Sequence, residues 1–348
     1  MQNIEPLVSV FTPAYNAEKY ISDCIESVIN QSYKNWEYTI IDNCSSDNTK
    51  KIISRYAKNN LKIKVYTNKS VLEQIKNWNH GIRKINFDSK YCKILHADDW
   101  IFPECLEKMV KVGEAYPNVG IIGSYRLDED IVTLDGLKYG NSVFNGHEIC
   151  RNHLLSKYFV FGSPSSLLLR TDIIKNNKFL YDEDEIHADT FACLNILKEW
   201  DFGFVHQVLT YTRRHNESVS SYVKLFDTKT IERIRALEKY GEYYLDHDVL
   251  RYHKRKRLRG YHRLLSKRFF ELRPLEYWKY QHNEIKRLGL SINWILVITL
   301  IIFQLARPVD TLPHIRIGCH KILAKIKNIS FYISNYDKIN KQKLQNHK

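Results

Sequence analysis

The sequence predicts an α/β fold, a mostly parallel sheet flanked by helices, followed by a basic helical extension. Three observations carry this. Short β-branched or apolar runs alternate with amphipathic stretches over residues 7–95, the order that lays parallel strands beneath crossover helices. An apolar fraction of 44% in 348 residues can build a sizeable core. The charge is split unevenly: residues 1–225 carry 27 Lys/Arg against 28 Asp/Glu, and residues 226–348 carry 26 against 11. Two regions are therefore expected, an α/β domain over 1–225 and a basic extension over 226–348.

Each element follows from local pattern. Leu7 to Thr12 reads as a buried strand. Asn16 is placed to cap a helix with Ile21, Cys24, Ile25, Val28 and Ile29 on one face. Tyr38 to Ile41 is a second strand, and Ser45-Ser46-Asp47 opens a helix facing inward with Ile52, Ile53, Tyr56 and Ala57. Leu61 to Tyr66 is a third strand, 71–85 a helix, and Tyr91 to Leu95 a fourth strand. Beyond 100 the alternation loosens: a helix at 103–115, a strand at 119–125, a polar turn region at 126–147 and a strand from Ser166 to Arg170. A helix at 187–199 precedes two short strands, Phe202 to His206 and Val208 to Tyr211. From 226 onward the pattern is helical and basic.

Three polar sites fall at strand C-termini: Phe11-Thr12-Pro13, Asp42-Asn43 and Ala97-Asp98-Asp99. Sheets of this class bind ligands outside those ends. The adjacent acids Asp98 and Asp99 admit three readings: a cap for the helix after Pro103, a solvated turn, or ligands for a divalent cation, Mg or Mn, that carries a polyphosphate.

Seven cysteines without CxxC or metal-finger spacing fit a reducing compartment better than a disulfide scaffold. The start, MQNIEPLVSVF, lacks the basic-then-apolar layout of an export signal. The basic extension suits an anionic partner, nucleic acid or phospholipid. Its aromatics do not form a stacking motif and no nucleic-acid-binding signature appears, so no nucleic acid is expected. The loop TPAYNAEKY holds no glycine, which disfavours a nucleotidyltransferase cradling a triphosphate. The most apolar stretch, 292–306, would span ~22 Å as a helix at ~1.5 Å per residue, less than a ~30 Å hydrocarbon core. An interfacial helix, a buried core helix and a membrane span all remain open for it.

The stretch VSVFTPAYNAEKYISDCIESVINQSYKNWEYTIIDNCSSDNT at 8–49 resembles the N-terminus of glycosyltransferase family 2, inverting enzymes with the Rossmann-like GT-A fold. The resemblance continues through KNWNHGI at 76–82, ILHADDWIFPECL at 94–106, FGSPSSLLLR at 161–170 and HADTFACLNILKEWDFGFVHQVLTYTRRH at 187–215. It implies that Thr12, Ala14 and Tyr15 line a nucleoside pocket and that Asp42 accepts a hydrogen bond from a pyrimidine N–H. Asp98 would hold the ribose or diphosphate side, Asp99 the cation, and Asp189 would act as base, with His187 a lesser candidate.

The chain departs from the family pattern twice. His96 stands where many relatives carry a third acid, and Trp78-Asn79 where many carry Arg-Asn. Lys76, Arg213 or Arg214 are the candidates to replace that arginine, and His215 is a further metal or phosphate candidate. The implied activity is metal-dependent sugar transfer from a nucleoside diphosphate sugar, UDP or dTDP, to a saccharide or lipid-linked saccharide of a bacterial surface polysaccharide. The expected location is cytoplasmic, peripheral on the anionic inner face of the cell membrane.

Overall fold

The computed structural model describes residues 5–176, 179–214, 223 and 225–305. The first half alternates as the pattern requires: β1 (Val8–Ala14), α1 (Ile21–Ile29), β2 (Trp36–Asp42), α2 (Thr49–Asn59), β3 (Ile63–Thr67), α3 (Gln74–Ile82) and β4 (Tyr91–Ile94). These four strands run parallel, with β1 between β2 and β4. β1, β2 and β4 are buried along nearly their whole length, as strands covered on both faces must be. Val8, Val10 and Ala14 pack in one apolar layer with α1, while Phe11 enters the other with Trp78 and Ile82 of α3. At Gly81 a Cβ would lie 2.4 Å from Phe11 Cζ, so only glycine lets α3 come this close to β1.

The second half comprises β5 (Trp100–Ile101), α4 (Cys105–Ala115), β6 (Val119–Asp128), β7 (Ile131–Thr133), β8 (Val143–Phe144) and α5 (Gly146–Leu154). It continues with a 3₁₀ turn at Pro164–Ser166, β9 (Leu167–Arg170), α6 (Thr171–Asn176), α7 (Ala188–Ile196) and β10 (Asp201–Thr212). The main path of the sheet runs β3-β2-β1-β4-β9-β6-β10-β5, with β7 on β6 and β8 on β10. Here the sheet is mixed: β9 is antiparallel to both β4 and β6, while β6 and β10 are parallel.

Several local expectations change. The two strands expected at 202–211 are one strand, β10, irregular between Val205 and Val208, and a bulge there produces the break read from the sequence. The region 126–147 holds the end of β6 and two short strands as well as turns. Asn16 does not cap α1: it takes a left-handed conformation, φ 47°, and the helix starts five residues later. α3 begins at Gln74 because the preceding loop is held otherwise, by Asn43 bonding Leu72 through both N–H and C=O.

After residue 226 come α8 (Thr228–Tyr244), α9 (His247–Phe270), α10 (Leu275–Arg287) and α11 (Trp294–Leu305). The chain divides into two compact units, Met1–Arg259 with Lys279–Leu290, and Gly260–Trp278 with Ser291–Lys348. The first unit thus includes α8, whose Ala236, Leu237, Tyr240 and Tyr244 join the larger core. Tyr240 and Tyr244 donate to the carbonyls of Phe191 and Leu194 on α7, at 3.2 and 2.5 Å.

In the second unit α11 buries Val297 and Ile301, and Gln304 donates to Ser266 Oγ at 2.9 Å. Its other face leaves Ile295, Ile298, Ile302 and Phe303 exposed. Among the described residues no helix is long and apolar enough to cross a membrane.

Candidate active site

Asp42 ends β2 directly opposite Ala14, the last residue of β1. It is fully buried, Oδ1 accepts from Ser45 N at 3.2 Å, and Oδ2 has no hydrogen-bond partner among the described residues. Leaving a buried acceptor empty costs about 1–3 kcal/mol, so this oxygen marks a place for an incoming donor. Tyr15, just beyond, is 51% exposed. Thr12 is placed differently: its hydroxyl is spent inside the fold, donating to Leu95 O at 2.7 Å and meeting Tyr38 Oη at 2.7 Å.

The loops after β1 and β2 are laced together. Ser46 N donates to Asn16 Oδ1 (2.9 Å), Asn16 N to Ser45 Oγ (3.0 Å) and Ala17 N to Thr49 Oγ1 (2.7 Å). Glu18 N donates to Asp47 Oδ2 (3.1 Å), and Asn48 N donates back to Glu18 Oε2 (3.0 Å). The left-handed turn at Asn16 permits this lacing, which explains why Ser, Asp and Thr recur through residues 45–49.

The ILHADDW stretch leaves β4 and turns so that ligand atoms of His96, Asp98 and Asp99 lie within 4.8 Å of one another. Asp99 is 3% exposed, and burial with the neighbouring Asp98 charge pushes its carboxyl up to about 7. Ser165 and the Arg213 N–H, 3.2 Å from Oδ1, work in the other direction. His96 packs against Trp78 with ring centroids 4.8 Å apart, and its buried Nε2 has no partner among the described residues. Burial holds the imidazole below its usual range, so it presents a neutral nitrogen. Two carboxylates and a neutral imidazole fit a divalent cation of the Mn²⁺ type better than Mg²⁺, which prefers oxygen alone.

Asp189 sits in the first turn of α7. Its charge acts on His96, so the strand-end cluster and the helix start converge. Burial raises the Asp189 carboxyl, against the Thr190 N–H at 2.8 Å, His96 and Lys229. Desolvation outweighs the helix dipole, which favours the anion at a first-turn position. His187 is pushed down to about 4, chiefly by burial, and bonds Thr228 Oγ1 through Nε2 at 2.9 Å. That makes it a weak base.

Of the cationic candidates, Arg213 lies at the acids: Nε donates to Asp98 O at 3.3 Å and Nη2 to Asp23 at 3.1 Å, with the guanidinium 4.5 Å over the Tyr20 ring. Arg214 is paired with Asp128, its Nε 2.6 Å from Oδ1. Lys76 pairs with Glu73 at 2.8 Å on the surface of α3. His215 lies outside the described residues.

The sequence reading missed several contributors. Arg126, buried on β6 and paired with Asp128 at 3.0 Å, feels the Asp99 charge. Lys93 is fully buried and donates to Ser165 O at 2.7 Å, while Ser165 Oγ accepts from His96 N at 3.0 Å. A lysine inside the apolar run YCKIL was the available signal. Asn79 brackets Tyr181, donating to its carbonyl at 2.8 Å and accepting from its N–H at 3.1 Å, which steadies the segment leading to Asp189.

A sheet of this topology with such a carboxyl-edge cluster is the framework of a glycosyltransferase, and comparison with known proteins agrees. The model of glycosyl transferase family 2 matches residues 9–176. An uncharacterized glycosyltransferase of Haemophilus influenzae is 32% identical over 238 residues, covering 66% of this chain and 72% of the relative. The chain belongs to glycosyltransferase family 2.

A Methanococcus voltae relative is 25% identical over 229 residues, 62% of this chain and 70% of its own length. It is described as a dolichyl N-acetyl-α-D-glucosaminyl phosphate 3-β-D-2,3-diacetamido-2,3-dideoxy-β-D-glucuronosyltransferase. Among solved structures, S. aureus TarS 1–349 in complex with UDP-GlcNAc superposes with a TM-score of 0.59 at 16% identity, covering 86% of this chain and 84% of that one. At this identity the likeness establishes the shared GT-A fold.

Proposed function

We propose that the protein transfers a sugar, with inversion, from UDP- or dTDP-sugar to a hydroxyl of a lipid-linked or growing surface polysaccharide, with a divalent cation. The observation that carries this is the convergence at one sheet edge of a buried, unsatisfied Asp42 oxygen with the His96–Asp98–Asp99 cluster. An ionised carboxylate only accepts hydrogen bonds, so Asp42 suits the ring N–H of uracil or thymine, with Ala14 and Tyr15 beside it. The UDP-GlcNAc complex of a protein of the same fold and the lipid-phosphate substrate named for the archaeal relative support the two substrate classes.

Asp98, Asp99 and His96 would hold the cation, which when bound neutralises charge developing on the departing diphosphate. Asp189 takes the proton of the acceptor hydroxyl as its oxygen attacks the anomeric carbon and the bond to the diphosphate breaks. Burial raises its pKa toward the operating pH, which strengthens it as a proton acceptor. Arg213, whose main-chain N–H bonds Asp99 and whose guanidinium bonds the Asp98 carbonyl and Asp23, supplies positive charge beside the phosphates in place of the arginine replaced by Trp78. Trp78 instead supports the His96 ring.

The exposed apolar stripe Ile295, Ile298, Ile302 and Phe303 on α11, with Arg263, Lys267 and Arg268 in the same unit, supports docking on an anionic membrane surface.

A panel of UDP-, dTDP- and GDP-sugars, incubated with Mn²⁺, Mg²⁺ or EDTA, tests the reading. Nucleoside diphosphate release is expected from the pyrimidine donors with Mn²⁺ and to stop with EDTA. Release that ignores EDTA, or that favours GDP-sugars, would overturn it.

A further inference from the structure

We propose that a cavity beside the start of α7 seats the acceptor, and that it selects a sugar carrying no negative charge; this rests on the transferase reading above. The cavity, about 210 Å³, lies within the first unit, and its wall includes His187, Thr228, Glu232, Arg235, Tyr280 and Glu284. It has the liquid volume of about seven waters at ~30 Å³ each, the size class of one monosaccharide.

Glu232 points to a ligand. It is 3% exposed, lines the cavity, and makes no hydrogen bond among the described residues, with His187 Nδ1 its nearest ionic neighbour at 3.8 Å. A buried carboxyl without donors is costly, and sugar hydroxyl or amino groups are donors of the right kind. The positive charges of the wall are already committed. Arg235 bonds both Glu185 and Glu284, and Arg287 bonds Glu284 at 2.9 Å. Glu232 bonds no cation directly, Lys229 and Arg233 acting on it only at a distance, so a uronate or phosphate placed against its ionised form would meet like charge.

The cavity neighbours the reacting centre without containing it: Asp189 lines a separate cavity with Phe161, Gly162, Ser163 and Tyr181, so the sugar seated here is one beside the attacking hydroxyl. Wall residues Asp184 to His187 lead directly into α7, where Asp189 stands two residues further on. The Asp189 charge is among the causes that hold the Glu232 carboxyl up at about 7, second to burial.

Saturation-transfer NMR with methyl β-glucoside, methyl β-glucosaminide and methyl β-glucuronide, on the wild type and Glu232→Gln, tests this. The wild type is expected to bind the first two and to hold the glucuronide at least about tenfold more weakly. Glu232→Gln should lose about tenfold for the glucoside and most of the discrimination, with its fold checked by circular dichroism. Glucuronide bound as well as glucoside, no glycoside bound, or a glucoside affinity untouched by Glu232→Gln would each overturn the proposal. UDP-GlcNAc binding is read on the same samples. Failure of UDP-GlcNAc, UDP and dTDP alike to bind in the presence of Mn²⁺, with glycoside selectivity intact, would sink the donor reading and leave the cavity's chemistry standing.

Discussion

Glu232→Gln should make the folded protein more stable at pH 8, by an amount that shrinks as the pH falls. Burial, assisted by Asp189, raises this carboxyl from 4.5 to about 7. Below 4.5 it is protonated in folded and unfolded chains alike and has no differential effect. As the pH climbs from 4.5 toward 7 the unfolded chain gives up its proton first, so folding loses stability through that window; above 7 the loss is complete. At about 1.4 kcal/mol per pH unit, the interval amounts to about 3 kcal/mol at pH 8 and under about 1 kcal/mol at pH 5. Glutamine keeps the shape and removes the ionisation. For a chain of this size the pH 8 difference corresponds to roughly 4 °C in melting temperature. Differential scanning fluorimetry at pH 5 and pH 8 measures it. A variant less stable than the wild type at pH 8, or a difference that does not vary with pH, would refute the reasoning.

Three further outcomes are expected. Asp189→Asn should retain donor binding by calorimetry yet lose transfer by about 10²–10⁴-fold, the usual contribution of a general base; full turnover would remove it from that role. Asn79→Ala strands the Tyr181 N–H and carbonyl and should cost about 1–3 kcal/mol in chemical unfolding, so an unchanged midpoint would argue against the bracket. Replacing Ile295, Ile298 and Ile302 together by serine should release the protein from sedimenting anionic vesicles while leaving its melting temperature within a few degrees. The triple replacement spares α8, whose Tyr240 and Tyr244 belong to the main core.

The first half of the sheet was legible because β1, β2 and β4 are short and buried on both faces, and β1 to β3 are each followed by a helix, with a clear apolar stripe as at Ile21, Cys24, Ile25 and Val28. The reversed strand β9 was not, since LLLR reads alike in either direction and only its partners β4 and β6 set its sense. Within the site, Asp42 and the Asp98–Asp99 pair were legible because acids at the ends of apolar runs have few structural duties. Arg126 was invisible: its neighbourhood is polar, and its partners are Thr133 on the returning β7 and Asp128 at the end of its own strand, which hold it where it feels the Asp99 charge. Glu232 lies in an ordinary helical pattern. Its burial depends on α10 returning from more than forty residues downstream.

The cross-bracing between residues 16–18 and 45–49 bears on engineering. Five of its bonds use a side chain of one segment to hold a backbone N–H of the other. Each stretch takes part of its shape from the other. A chimera that swaps only one of them would misalign both, whereas transplanting the two as a matched set should preserve the paired loops at this sheet edge.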